Sequence, residues 1–98
     1  MSIEDWRAEI DQIDDHLLRL LNTRARLAAK IGQVKRAVGL PLSDEERERQ
    51  VVQRMQTGNK GPLDDGAVMK LFECIIRESR RVESAVLTVD QAGVENFG

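Results

Sequence analysis

Cationic side chains interrupt the apolar face of the first predicted helix at two positions. Arg24 lies where the spacing of Leu20 and Leu27 predicts another apolar residue, and Lys35 follows 11 residues later. Eleven residues make about three helical turns, so the two side chains point in nearly the same direction from Cα atoms ~16 Å apart. A cation on an apolar face is costly without an anionic partner. The pair is suited to hold one anion of modest size, although Arg24 could instead fix helix register and Lys35 could be a solvated charge.

The last predicted helix carries a similar interruption of its apolar stripe. Ser79 and Glu83 lie four residues apart within the stripe that contains Phe72 and Ile76. A serine in a helix can donate a hydrogen bond to the preceding turn, whereas a buried carboxylate needs a cation or a proton. The cations that could pair with Glu83 are Arg24, Lys35 and Arg80.

The chemistry available to these side chains is electrostatic. The middle predicted helix places Asp44, Arg47, Glu48 and Val51 on one face, which could also be a solvated surface of ion pairs. Polar groups inside a helical bundle can bind carboxylates and stabilise developing negative charge without a nucleophile. With His16 as the one histidine, the sequence offers no metal site, no Ser/His or Cys/His pair and no glycine-rich phosphate loop. We therefore expect no metal and no cofactor.

Two loops divide the chain into the helices that must position these residues. Pro41 and Pro62 each lie close to a glycine, which is typical of loops. From about Ile3 to Val38, apolar residues recur at steps of three and four, which predicts one long helix with a heptad pattern. This row of apolar residues, here called the seam, consists of Ile10, Ile13, Leu17, Leu20, Leu27, Ile31, Val34 and Val38.

Two further helices complete the predicted all-α fold. A short one begins after Ser43 as N-cap, with Glu46 in the capping box, and runs to about Thr57; a medium one spans about residues 63–87. We expect a domain over residues 1–88 and a flexible tail over 89–98. The single cysteine, Cys74, is expected to be a small core residue.

The length of the first helix predicts a homodimer. Some 35 residues at ~1.5 Å each form a rod of roughly 50 Å, whereas a compact chain of 98 residues has a radius of gyration of about 13 Å. The rod would protrude with its seam in water unless a second copy covered it. We therefore expect the helices to form an entwined bundle of two chains.

Composition excludes several classes of protein. The chain has 98 residues, of which 41% are apolar and 33% charged, and this indicates one globular domain. A net charge of −2 argues against a nucleic-acid partner, and one cysteine excludes a disulfide framework within the chain. The sequence has neither a membrane span nor a signal peptide at its acidic start, so we expect a cytoplasmic protein.

Four short motifs follow one another along the chain. They are W-R-x-x-I-D-x-I-D-x-x-L-L-x-L-L-x-x-R at 6–24, I-G-x-x-K at 31–35, D-x-x-R-E-R at 44–49 and L-F-x-x-I-I-x-x-S at 71–79. In this order and at these separations they resemble the all-helical chorismate mutases, over most of the chain. The resemblance implies an entwined homodimer with two equivalent sites, which converts chorismate to prephenate in phenylalanine and tyrosine biosynthesis.

The resemblance also implies a role for each candidate residue. Arg24 would bind one carboxylate of chorismate, and Arg7 of the partner subunit would bind the other. Lys35 would bind a carboxylate and the ether oxygen, which Glu83 would also face. Asp44 and Glu48 would fix the ring-hydroxyl end, Glu48 by its side chain. Arg47 would lie beside the ligand, and Ser79 would help hold a carboxylate. Relatives carry either Gln or Glu at the position of Glu83, a difference that bears on the pH dependence of activity.

Two alternatives remain open from the sequence. Isochorismate pyruvate lyase shares this fold and similar cations, although the complete D-x-x-R-E-R motif favours the mutase. A non-catalytic dimerisation module would explain the heptads but not Arg24, Ser79 and Glu83 on apolar faces. Because no dehydratase, dehydrogenase or regulatory segment is attached, the chain resembles a free-standing mutase.

Overall fold

A computed structural model describes the backbone of residues 2–92 and the side chains of residues 2–85. Within these residues the chain forms three helices, α1 (Ile3–Ala37), α2 (Glu45–Gly58) and α3 (Asp65–Ala92). Their lengths of 35, 14 and 28 residues confirm the predicted all-α order of long, short and medium helices. None of the helices in the described part of the chain is both long and apolar enough to cross a membrane.

The start of α1 is fixed by a capping box. Ser2 Oγ accepts a hydrogen bond from the Asp5 N–H at 3.1 Å, and Asp5 Oδ2 accepts one from the Ser2 N–H at 3.1 Å. Two of the N–H groups that a helix start leaves unpaired are thereby satisfied. At the other end Lys35 and Arg36 lie in the last turn, where positive charge favours the helix dipole. Gly39 follows with φ of 78°. This backbone conformation is sterically unfavourable for residues with a Cβ but not for glycine.

The N-cap of α2 differs from the prediction. Asp44, not Ser43, caps this helix, and its Oδ1 accepts a hydrogen bond from the Arg47 N–H at 3.0 Å. The two adjacent residues are comparable N-caps. Only the aspartate adds a full negative charge, which the positive end of the helix dipole stabilises.

The third helix begins two residues later and ends later than predicted. Asp64 Oδ1 accepts a hydrogen bond from the Ala67 N–H at 2.7 Å and so caps the start of α3. The helix continues to Ala92, through the first residues assigned to the flexible tail. Residues 93–98 of that tail lie outside the described residues.

The helices form a thin, elongated layer in which α3 packs against both α1 and α2. The principal extents are 53, 32 and 14 Å, and the radius of gyration is 16.9 Å, well above the value of about 13 Å for a compact chain of this length. Such a layer has little interior. The buried apolar residues among the described side chains are Val51, Val68 and Ile76.

The single chain leaves the seam and Cys74 exposed to water. Every residue of the seam remains 49–64% exposed. The expectation that Cys74 is a core residue is wrong for the single chain, because this side chain is exposed on α3. Both observations have the same physical cause, since a layer 14 Å thick cannot cover both of its faces.

Candidate active site

One cavity gathers the chemically distinctive side chains. It has a volume of about 250 Å³ and lies among the second half of α1, the start of α2 and the middle of α3. Its apolar walls are Leu27, Ala28, Ile31, Leu42, Val51 and Ile76. Its polar lining includes seven of the eight residues predicted for the site, namely Arg24, Lys35, Asp44, Arg47, Glu48, Ser79 and Glu83.

Arg24 is held by a neutral partner. Its Nη1 donates a hydrogen bond of 2.7 Å to Ser79 Oγ on α3. Ser79 is only 7% exposed, so this contact fixes the guanidinium from the inside of the layer. A hydroxyl orients the cation without cancelling its charge. The arrangement leaves Arg24 suited to bind an anion in the cavity.

Lys35 joins α1 to the loop that leads into α2. Its Nζ donates a hydrogen bond of 3.1 Å to the Leu42 carbonyl, and the residue is half-buried. A backbone carbonyl leaves the positive charge uncompensated, and the ammonium has two further N–H donors for a ligand. Lys35 and Arg24 thus present positive charge to the same cavity, as their spacing predicted.

Among the described residues, one carboxyl oxygen of Glu83 has no hydrogen-bond partner. Its Oε2 is buried and unpaired, a state that disfavours the charged form. Burial accordingly raises the pKa of Glu83; Lys35 lowers it, Glu48 raises it and Arg80 lowers it, in decreasing order of influence. Glu83 therefore holds its proton to a higher pH than an ordinary glutamate does.

Gly32 makes room for the Glu83 side chain. A Cβ placed on Gly32 would lie 3.2 Å from both Cβ and Cγ of Glu83, which is closer than such atoms normally approach. Gly32 is itself buried in the middle of α1, where glycine costs about 1 kcal/mol relative to alanine. The close approach of α1 and α3 beside Glu83 explains why a glycine occupies this position.

The start of α2 supplies the remaining polar residues. The carboxylate of Asp44 is engaged in capping the helix, while Glu48 is half-buried one turn further on. Glu48 Oε2 lies 3.4 Å from Arg80 Nε. Arg80 also lines the cavity, although the sequence indicated it only as a candidate partner of Glu83. Its spacing from Ile76 by four residues places both on one face of α3, and that signal could have identified it.

Arg7 is the predicted residue that the cavity of the single chain does not include. It lies on α1 at 17 residues before Arg24, which corresponds to about 25 Å along the helix axis. A side chain cannot bridge that distance. Its predicted role therefore stays a prediction that depends on a second chain. Nowhere in the described part of the chain do three or more His, Cys, Asp or Glu residues form a group that could hold a metal ion.

The arrangement resembles that of known proteins in both sequence and structure. The chain is 37% identical over 98% of its length to a bifunctional chorismate mutase/prephenate dehydratase from Aquifex aeolicus, of which it spans 30%. A chorismate mutase (form II) structure from Thermus thermophilus matches with a TM-score of 0.82 and 35% identity, over 84% of this chain and 93% of that one.

A second solved structure is that of the Helicobacter pylori chorismate mutase in complex with prephenate. It matches with a TM-score of 0.81 and 27% identity, over 88% of this chain and 93% of that one. The model of the family described as chorismate mutase type II matches residues 6–84. This region includes nearly all of α1, the whole of α2, most of α3 and every residue assigned to the site. The chain belongs to the chorismate mutase type II family.

Proposed function

We propose that this chain catalyses the intramolecular rearrangement of chorismate to prephenate. The observation that carries the proposal is the convergence of Arg24, Lys35 and Glu83 on one cavity with apolar walls. In the reaction one C–O bond breaks and one C–C bond forms within a single molecule, so no group is transferred to the protein. The protein has to fold the enolpyruvyl arm over the ring and stabilise the charge that develops.

The cations bind the two carboxylates of the substrate. Arg24, oriented by Ser79 at 2.7 Å, binds one carboxylate in a charge-assisted pair. Lys35 binds a carboxylate and reaches the ether oxygen, and Arg47 lies beside the ligand at the start of α2. Together they hold the substrate in its reactive conformation. The entropic cost of reaching this conformation is then offset by binding energy and no longer adds to the activation barrier.

The other end of the substrate carries the ring hydroxyl. Glu48 accepts a hydrogen bond from this hydroxyl through its carboxylate, and Asp44 lies one turn earlier, at the N-cap of the same helix. Because the side chain of Asp44 already accepts a bond from the Arg47 N–H, its contribution is to fix the start of α2. The apolar walls contact the faces of the ring.

Negative charge grows on the ether oxygen as the C–O bond breaks. Lys35 and a protonated Glu83 donate hydrogen bonds to this oxygen, and both bonds strengthen in the transition state. Burial raises the pKa of Glu83, which favours the protonated form that can donate. The two substrate carboxylates also compensate the charges of the nearby cations and thereby favour the proton further.

A second copy of the chain completes the site. The residues of the seam are 49–64% exposed, and an exposed row of apolar side chains on either side of Arg24 marks an interface. The first half of α1 is acidic and the second half basic, so two antiparallel α1 helices would also match in charge. In the resulting entwined homodimer, Arg7 of the partner subunit binds the second carboxylate.

Substrate preference distinguishes the mutase from the lyase, and any activity distinguishes both from a dimerisation module. Purified protein is incubated with chorismate and, separately, with isochorismate. Loss of ultraviolet absorbance is followed and products are identified by mass spectrometry. We expect prephenate from chorismate and no release of pyruvate. Pyruvate released from isochorismate at the higher rate would support the lyase, and no turnover of either compound would support the module.

A further inference from the structure

Two carboxyl groups and one arginine meet at the junction of α2 and α3. Glu48 on α2 and Glu83 on α3 line the same cavity, as does Arg80 on α3. The Arg80 Nε lies 3.4 Å from Glu48 Oε2, with side-chain exposures of 44% and 25%. The family resemblance assigns roles to both carboxyl groups and none to Arg80. The function of the contact between Arg80 and Glu48 is therefore still to be explained.

The proposed reaction favours different states of the two carboxyl groups. Glu83 has to carry a proton in order to donate to the ether oxygen, whereas Glu48 accepts most strongly from the ring hydroxyl as a carboxylate. Carboxyl groups that share a site compete for a proton. A feature of the site must therefore distinguish the two groups, and their surroundings differ in one respect. Glu48 contacts a cation, whereas Glu83 Oε2 is buried without any hydrogen-bond partner.

We propose that Arg80 is a positioning residue that holds Glu48 as a carboxylate directed at the ring-hydroxyl end of the substrate. This role rests on the proposed function. In this role Arg80 acts through Glu48, whose Oε2 lies 3.4 Å from its Nε. The fixed planar guanidinium can orient a carboxylate in a way that a flexible ammonium cannot.

The other charged groups around Glu83 do not perform this task. On α1, Lys35 bonds the Leu42 carbonyl and Arg24 bonds Ser79 Oγ. On α2, the Asp44 side chain caps the helix, and Arg47 lines the cavity as a mostly exposed side chain. Among the charged side chains that line the cavity, Arg80 is the one placed within 4 Å of Glu48 as an ion pair.

The test compares the pH dependence of kcat/KM and the separate values of kcat and KM for chorismate in the dimeric protein. Arg80→Ala should raise KM about fivefold with little change in kcat, because one contact that orients Glu48 is lost. Arg80 also lowers the pKa of Glu83. Its removal should therefore shift the alkaline limb to higher pH.

Three variants serve as controls. Arg80→Gln removes the charge but keeps most of the side chain, and it should show the same upward shift even if Arg80→Ala folds poorly. Arg80→Lys should keep the alkaline limb of the kcat/KM profile near its wild-type pH and should restore KM in part. Arg81→Ala removes the neighbouring arginine, whose partner is the exposed Glu78 at 3.1 Å, and should change neither quantity.

The Arg80→Ala substitution in a Glu48→Gln protein distinguishes positioning of Glu48 from a general effect of Arg80 on packing. In Glu48→Gln protein there is no carboxylate for Arg80 to orient, so adding Arg80→Ala should leave KM unchanged. An equal rise of KM in both backgrounds would overturn the proposal, as would Arg80→Ala and Arg80→Gln profiles that match that of Arg81→Ala. Either result, obtained with an active wild-type protein, refutes only the role of Arg80 and leaves the proposed function intact. A wild-type protein that leaves chorismate unchanged refutes the proposed function and this role together.

Discussion

Replacement of Glu83 by glutamine should remove the pH dependence of catalysis on its alkaline side. In the wild-type protein the donor to the ether oxygen is the protonated carboxyl, and burial raises its pKa. Activity should be full while the proton is present and should fall as pH rises through that pKa. The amide of Glu83→Gln donates a hydrogen bond without titrating, so its activity should stay level across the same range.

The size of the effect follows from the surroundings of the side chain. Glu83 Oε2 is buried and has no hydrogen-bond partner within the described residues, so its donor capacity is free for the substrate. A hydrogen bond to a charged group contributes about 1.5–3 kcal/mol, which corresponds to roughly 10- to 150-fold in rate. Glu83→Ala has no donor and should lose about this much in kcat/KM, at every pH below the alkaline limb.

The assay is kcat/KM for chorismate from about pH 5 to 9, measured for the wild type, Glu83→Gln and Glu83→Ala. Circular dichroism checks that all three proteins are folded. An alkaline limb at the same pH in the wild type and in Glu83→Gln would refute the reasoning. Another group, for which Lys35 is the first candidate, would then titrate there, and the proton-donor role of Glu83 would be abandoned.

Three further predictions concern packing, capping and assembly. Gly32→Ala should lower kcat severalfold, because its Cβ would lie 3.2 Å from the Glu83 side chain. The urea midpoint should change little, because helix propensity improves by about 1 kcal/mol and offsets the crowding. A kcat equal to that of the wild type would contradict the packing argument. Asp44→Ala should lower the free energy of unfolding by about 1 kcal/mol, whereas Ser43→Ala should change it by less than about 0.5 kcal/mol. A larger loss of stability in Ser43→Ala than in Asp44→Ala would identify Ser43 as the cap. Light scattering should give twice the chain mass of 11.1 kDa, whereas a folded, active monomer would exclude a site completed by Arg7 of a second copy.

The helical pattern was predictable because it depends on local spacing. The steps of three and four along α1 locate that helix to within one residue of its observed end at Ala37. The bounds of α2 were also accurate to about one residue, whereas α3 begins two residues later and ends about five residues later than predicted. At the start of α2 two adjacent residues, Ser43 and Asp44, can both cap, and the sequence does not show which N–H group either side chain will reach.

The composition of the cavity was predictable for the residues that interrupt apolar faces. Arg24, Ser79 and Glu83 stand out because each occupies a position where an apolar side chain is expected, and all three line the cavity. Arg80 does not interrupt an apolar stripe, and its spacing of four residues from Ile76 is a weaker signal. Its contact with Glu48 at 3.4 Å joins two helices, and a long-range pair of this kind is not visible in the spacing of either helix.

The most direct test of the account is a matched pair of arginine substitutions two residues apart on α1. Arg24 lines the cavity and bonds the buried Ser79 Oγ, whereas Arg26 is exposed and bonds Thr23 Oγ1 at 3.1 Å. Loss of a charged contact in the transition state costs a few kcal/mol, so Arg24→Ala should lower kcat/KM for chorismate by roughly 100-fold or more while remaining folded. Arg26→Ala should retain the wild-type value. Near-wild-type activity in folded Arg24→Ala protein, or an equal loss in both variants, would contradict the claim that chorismate is rearranged in this cavity.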